Sequence, residues 1–279
     1  MQTRSVARML RGQPASDGGG VRLNRVLSFQ PDIDPFLMLD EFNSANADDY
    51  IAGFPSHPHR GFETVTYMLE GRMLHEDHAG NSGLLVGGGA QWMTAGRGII
   101  HSEMPQQEAG GMRGFQLWIN LPAAEKMKPA HYRDLAPEEI PTVSAGDARV
   151  RVVAGRFEHD GLTTTGPING ISTDPLFLDV NLAAGGRLEL PVPAAHTALV
   201  YVFVGNATVG DRDLATGHLA ITGEGDTIAL AAEQMPARML VLAGRPLREP
   251  MVHYGPFVMN TRAEIEQALT DYQSGRLTA

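Results

Sequence analysis

Short runs of alternating apolar and polar residues, broken by glycine, cover most of this chain, and a 3.6-residue apolar period is confined to the stretch after residue 260. Alternation over a few residues marks a half-buried β-strand, because successive side chains point to opposite faces. Residues 5–11 alternate loosely and stop at the glycine-rich turn 17–20, from which 21–29 returns as a strand. The β-branched and aromatic residues of 63–69 predict another strand, turning at Glu70-Gly71 into RMLHED, with further turns at 78–83 and 87–89. In 113–120, Phe115, Leu117 and Ile119 share one face, which core packing explains. Gln116, Trp118 and Asn120 share the other and line a pocket or a domain contact. Many short strands with glycine turns predict an all-β fold of the jelly-roll type, which manages its strand edges by closing a barrel or doubling a sheet.

The polar, proline-broken stretch 123–141 reads as a linker, after which strands recur to residue 244. The expected organisation is two tandem jelly-roll domains, 1–122 and 142–248, joined by the linker 123–141. A C-terminal segment, 249–279, completes the chain. Its helix is signalled by Thr261 and Glu264, which form a capping box, and by Ile265, Ala268, Leu269 and Tyr272 on one stripe. So short a helix is marginal alone in water and must dock on a domain.

Composition narrows the partners. With 22 basic and 32 acidic residues the net charge is −10, and the basic residues are scattered singly, so direct nucleic-acid binding is disfavoured. There is no cysteine, which excludes disulfides and zinc–thiolate sites. The N-terminal stretch lacks an apolar core of signal-peptide length, and no run approaches the length of a membrane span. A cytoplasmic protein, monomeric and free of membrane contact, is expected.

The candidate chemistry lies between residues 57 and 103. His57 and His59 open this stretch, and His101 and Glu103 close it, each pair spaced i,i+2. On a strand such a pair projects from one face, about 6–7 Å apart, so two neighbouring strands can aim four ligands at one point. Imidazole and carboxylate suit iron, nickel, copper, zinc or manganese. Three histidines and one carboxylate leave two octahedral positions open for oxygen or substrate, which favours Fe(II), with zinc, manganese, nickel and copper left open. Glu63 shares the parity of His57 and His59 and is expected to orient an imidazole or line the pocket. His75 and His78 flank a polar turn and are read as distant from the site. Asp40 and Glu41 are adjacent, so they face opposite ways and cannot act as a pair.

An internal repeat supports one metal ion per chain. Aligning Gly71 with Gly205 puts Pro191 and Pro193 where the first copy has His57 and His59, and Thr197 at the place of Glu63. Aligning Gly89 with Gly225 puts Ala237 and Met239 opposite His101 and Glu103. The second copy keeps the strands and loses the ligands. His196 is left as a lone turn or core histidine.

The runs HPHRGFETVTY and QWMTAGRGIIHSE resemble the pirin family of the cupin superfamily, as do DPFLMLDEF, FQLWINLP and EPMVHYGPFVMNT. The resemblance implies a bicupin holding iron through the residues matching His57, His59, His101 and Glu103, with the C-terminal segment returning to the first domain. Some members of that family show quercetin 2,3-dioxygenase activity, while others act as transcription coregulators or bind metabolic enzymes. Two functions are therefore expected as alternatives. One is a dioxygenase taking O2 and a flavonol or related aromatic, with Glu103 both ligand and candidate base. The other is an iron-binding, redox-responsive interaction protein with a protein partner.

Overall fold

A computed structural model describes residues 2–107 and 109–279. The chain forms two compact units, one of residues 14–29, 36–138 and 247–279, the other of residues up to Gln13, 30–35 and 139–246. Each unit is a jelly-roll barrel built from a seven-stranded and a four-stranded antiparallel sheet.

In the first unit the larger sheet runs, in spatial order, His131–Leu135, Ala90–Thr94, Phe62–Glu70, Met112–Asn120, Phe36–Ser44, Val21–Ser28 and Gln13–Asp17. The smaller runs Phe54–His59, Ile99–Pro105, Arg72–Asp77 and Ser82–Val86. Val21, Leu23, Phe42 and Met68 of the large sheet pack against Met73 and Leu85 of the small one, so the two sheets share a buried interior. The helix Arg262–Gln273 starts at Thr261 with both hydrogen bonds of the capping box in place. Its buried Ile265 and Ala268 join Phe257, Met259 and Ile100, the last on the strand that carries His101.

The second unit repeats this plan. Its large sheet runs Val6–Arg11, His218–Thr222, Thr197–Val204, Ala237–Gly244, Leu176–Leu182, Ala148–Ala154 and Thr142–Ala145. Its small sheet runs Arg187–Pro191, Thr227–Ala231, Asn206–Val209 and Arg212–Ala215. Leu188, Leu190, Val200, Val202, Ile228 and Met239 fill the interior with hydrocarbon. The strand pair Arg187–Pro191 and Thr227–Ala231 corresponds to Phe54–His59 and Ile99–Pro105 of the first unit. Ala237 and Met239 instead lie on the strand equivalent to Met112–Asn120, which corrects the alignment drawn from the sequence.

Two further expectations change. Residues 6–11 do not pair with 21–28: they form an edge strand on His218–Thr222, and the turn at 17–20 joins Gln13–Asp17 to Val21–Ser28. The chain passes from one unit to the other after Gln13, just beyond the end of the alternation. The stretch 123–141 is not wholly a linker, since His131–Leu135 pairs along its length with Ala90–Thr94. An edge strand buries little on its outer side, so its charged residues hid it. Among the described residues no helix is long and apolar enough to cross a membrane.

Candidate metal centre

Antiparallel pairing of Phe54–His59 with Ile99–Pro105 sets His101 opposite His57 and Ile99 opposite His59. One nitrogen from each of His57, His59 and His101 lies within 4.8 Å of the others. The imidazoles pack as a cluster, with ring centroids 4.4 Å apart for His57 and His101, 4.7 Å for His57 and His59, and 4.9 Å for His59 and His101. Phe62 and Trp118 wall in His59 edge-on, at 5.1 and 5.3 Å.

The donor set fits a cation. His57 Nδ1 lies 2.8 Å from the Pro55 carbonyl and donates to it, which leaves the Nε2 lone pair free. His59 Nδ1 and His101 Nε2 are buried and have no hydrogen-bond partner. Orphaned buried nitrogens are costly unless something binds them. Burial drives His59 well below the ordinary histidine range, and the neighbouring His57 adds to this. His101 is lowered in the same way, first by burial and then by His59 and His57. Both rings are thus held as the neutral form that ligates a metal.

Glu103 stands apart from the three converging nitrogens. The pairing register shifts between His101 and Glu103, so Glu103 lies opposite Phe54 rather than Pro55. Its carboxylate accepts from Thr66 Oγ1 at 2.9 Å and from Gln116 Nε2 at 3.1 Å. It still lines the same cavity as His57 and His59, a space of about 670 Å³ whose walls include Leu23, Phe29, Met38, Phe42, Phe54 and Trp118. That volume falls within the range of small-molecule sites.

A profile of the pirin family matches residues 20–119, and one of the pirin C-terminal cupin domain matches 177–278. The chain belongs to the pirin family. It is 57% identical over 280 residues to a Pseudomonas aeruginosa protein named "Putative quercetin 2,3-dioxygenase", covering 98% of each chain. Human pirin is 40% identical over 270 residues, covering 94% of this chain and 89% of that one. Among solved structures, a quercetin 2,3-dioxygenase from Acinetobacter baumannii superposes with a TM-score of 0.90 at 33% identity, covering 99% of each chain.

In this member of the pirin family two residues sit elsewhere than the sequence suggested. Glu63 is opposite Thr94 and Ile119, on the face of the large sheet away from Thr66 and Gln116. It accepts from Thr94 Oγ1 at 2.7 Å, has Lys128 Nζ at 3.9 Å, and its pKa is raised by burial. It neither orients an imidazole nor lines the cavity. Parity counted from His59 fails because Gly61, at φ +90°, interrupts the strand between them. His75, read as distant, is buried with its Nδ1 3.3 Å from His101 Nδ1. This contact occupies the nitrogen of His101 opposite the orphaned Nε2 and fixes the ring. The alternation of Met73 and His75 was the available signal, since both are buried and share one face of Arg72–Asp77. His78 is exposed, and its Nδ1 lies 3.4 Å from the Ile100 amide. In the second unit His196 is buried with Nε2 3.5 Å from Asp174 Oδ2, beside a cavity of about 710 Å³ at which, among the described residues, no metal-ligating cluster gathers.

Asp40 and Glu41 face opposite ways, as adjacent strand residues must. Asp40 lines the cavity and is bound by Arg25, whereas Glu41 accepts from Arg113 Nη2 at 2.9 Å.

Proposed function

We propose that this protein is a metal-dependent dioxygenase of the quercetin 2,3-dioxygenase kind, acting on a flavonol or related hydroxylated aromatic. The carrying observation is the convergence of three imidazoles, two of them (His59 and His101) buried and held neutral, beside a cavity walled by aromatic and apolar side chains. The names and structural likeness of the relatives support the same reading. His57, His59 and His101 would hold one metal ion, with Glu103 completing the set, and the nitrogen and oxygen donors favour Fe(II). When bound, the metal would polarise a substrate oxygen and provide a site for O2.

The chain's own residues do the rest. Trp118, Phe54 and Met38 exclude water from a flat ring and position it. Glu103 is the nearest base for a phenolic proton, which would pass from the substrate hydroxyl to a carboxylate oxygen. Thr66 and Gln116 keep that carboxylate aimed, since both donate to it.

The test is oxygen uptake by protein reconstituted with Fe(II) and offered quercetin, alongside His101→Ala and Glu103→Gln. One metal per chain, lost in His101→Ala together with turnover, is expected. Glu103→Gln keeps the shape and an oxygen but removes the charge, so turnover should fall at least a hundredfold while part of the metal is retained. An Fe(II)-loaded wild type that takes up no oxygen with flavonols and related diols would overturn the reading. The redox-responsive interaction protein would then take its place.

A further inference from the structure

One polar row crosses the cavity wall of the large sheet. Thr66 pairs with Gln116, Gln116 with Asp40, and Asp40 with Arg25, each as direct cross-strand partners on four neighbouring strands. With strands about 4.8 Å apart, the row carries its groups about 14 Å from Thr66, which contacts Glu103, to Arg25. At its far end Arg25 is held rigidly. Nε and Nη2 bind the two oxygens of Asp40 at 3.0 and 2.7 Å, and Nη2 also reaches Asp17 at 2.9 Å. Among the described residues Nη1 has no hydrogen-bond partner. Arg25, Asp40 and Asp17 all line the cavity, and Leu23, Met38, Phe42 and Trp118 surround the row with apolar surface.

We infer that Arg25, clamped by Asp40 and Asp17, reads the end of the substrate remote from the histidines and restricts the site to neutral, hydroxylated aromatics. The inference rests on the proposed function and specifies its substrate class. A hydroxyl both donates and accepts, so it can satisfy the guanidinium donor and the carboxylate acceptor standing side by side. A carboxylate or phosphate only accepts, and it would meet Asp40 and Asp17 together, two negative charges against one guanidinium. Preorganisation keeps the cost of binding low, because Arg25 is already ordered by three hydrogen bonds.

The experiment measures binding without turnover. Nickel-loaded protein, kept anaerobic, is titrated with three flavonols while tryptophan fluorescence is followed. Quercetin carries two hydroxyls on the ring remote from the chelating oxygens, 3,5,7-trihydroxyflavone carries none, and a third analogue carries a carboxylate there. Wild type should bind quercetin about tenfold more tightly than the trihydroxyflavone, and the carboxylate more weakly than either. In the double variant Arg25→Gln with Asp40→Asn, the preference should fall to within about twofold. Equal affinities in wild type, preferred binding of the carboxylate, retention of the preference in the variant, or no binding of any flavonol would each overturn the inference. If the variant does not fold, the wild-type comparison decides. Intact preference without oxygen uptake would sink the dioxygenase and leave this inference standing, while turnover without preference would do the reverse.

Discussion

Lys126 offers the sharpest physical test of how the site is supported. It is buried, and its ammonium donates to the Gly61 carbonyl at 2.7 Å, Asn120 Oδ1 at 2.6 Å and the Val258 carbonyl at 3.0 Å. All three partners are neutral oxygens, so burial dominates and pushes the pKa down from 10.5 to about 8. Between these values the unfolded chain binds a proton that the folded chain has released, so stability rises with pH across that window. At pH 7 both states are protonated and the charge penalises folding by about 3 kcal/mol; at pH 9.5 only about 1 kcal/mol of that penalty remains. Lys126→Met keeps the stem and removes the titration. The stability of wild type relative to Lys126→Met should therefore improve by about 2 kcal/mol between pH 7 and 9.5. Urea unfolding of the metal-free proteins, followed by tryptophan fluorescence, measures it, because Trp92 and Trp118 both lie in the unit that holds Lys126. A difference that stays constant across this range would show that the ammonium carries no burial penalty and would refute the reasoning.

Two further outcomes follow from the site. Burial already holds His59 and His101 neutral below the ordinary histidine range, so protonation of these two rings should cost nickel or zinc affinity less than about threefold from pH 8 to 6. A competition titration in which metal release takes up two or more protons near pH 6.5 would contradict this. The metal-free fold should meanwhile lose stability as pH falls below 6.5, because the unfolded histidines take up protons that the buried ones refuse. Gly61→Ala would place a Cβ 2.0 Å from the Val258 carbonyl at a φ of +90°, so it should destabilise by about 3 kcal/mol or more and lower metal occupancy. A variant with wild-type melting behaviour and a full metal content would show that the close approach is dispensable.

Much of the site was legible because strand parity is a local rule. His57 and His59 sit on one strand, His101 on its partner, and their convergence needed only that pairing. What escaped depended on where parity breaks. The shift after His101 turns Glu103 toward Thr66 and Gln116, and the interruption at Gly61 separates Glu63 from the cavity. No composition rule announces either. The second-copy alignment failed for a related reason: Gly225, at φ +140°, precedes Thr227–Ala231 as Gly98, at φ +152°, precedes Ile99–Pro105. Gly98, not Gly89, was the proper anchor. The barrel fold itself was readable from alternation and turns, since each short strand declares its buried face.

The clasp around Gly61 ties the histidines to the last part of the chain. Arg60, next to His59, binds Asp271 at 2.8 Å and the Leu277 carbonyl at 3.2 Å, while Lys126 and Gly61 meet Val258. His253, Gly255 and Pro256 form part of the cavity wall. During synthesis the three histidines leave the ribosome well before these residues exist. A nascent or prematurely terminated chain would present the imidazoles without their backing, as an open and exchangeable trap. The backing of the imidazoles is thus a late step of folding, since it waits until residues 253–277 have been made and have packed against the strands that carry the histidines.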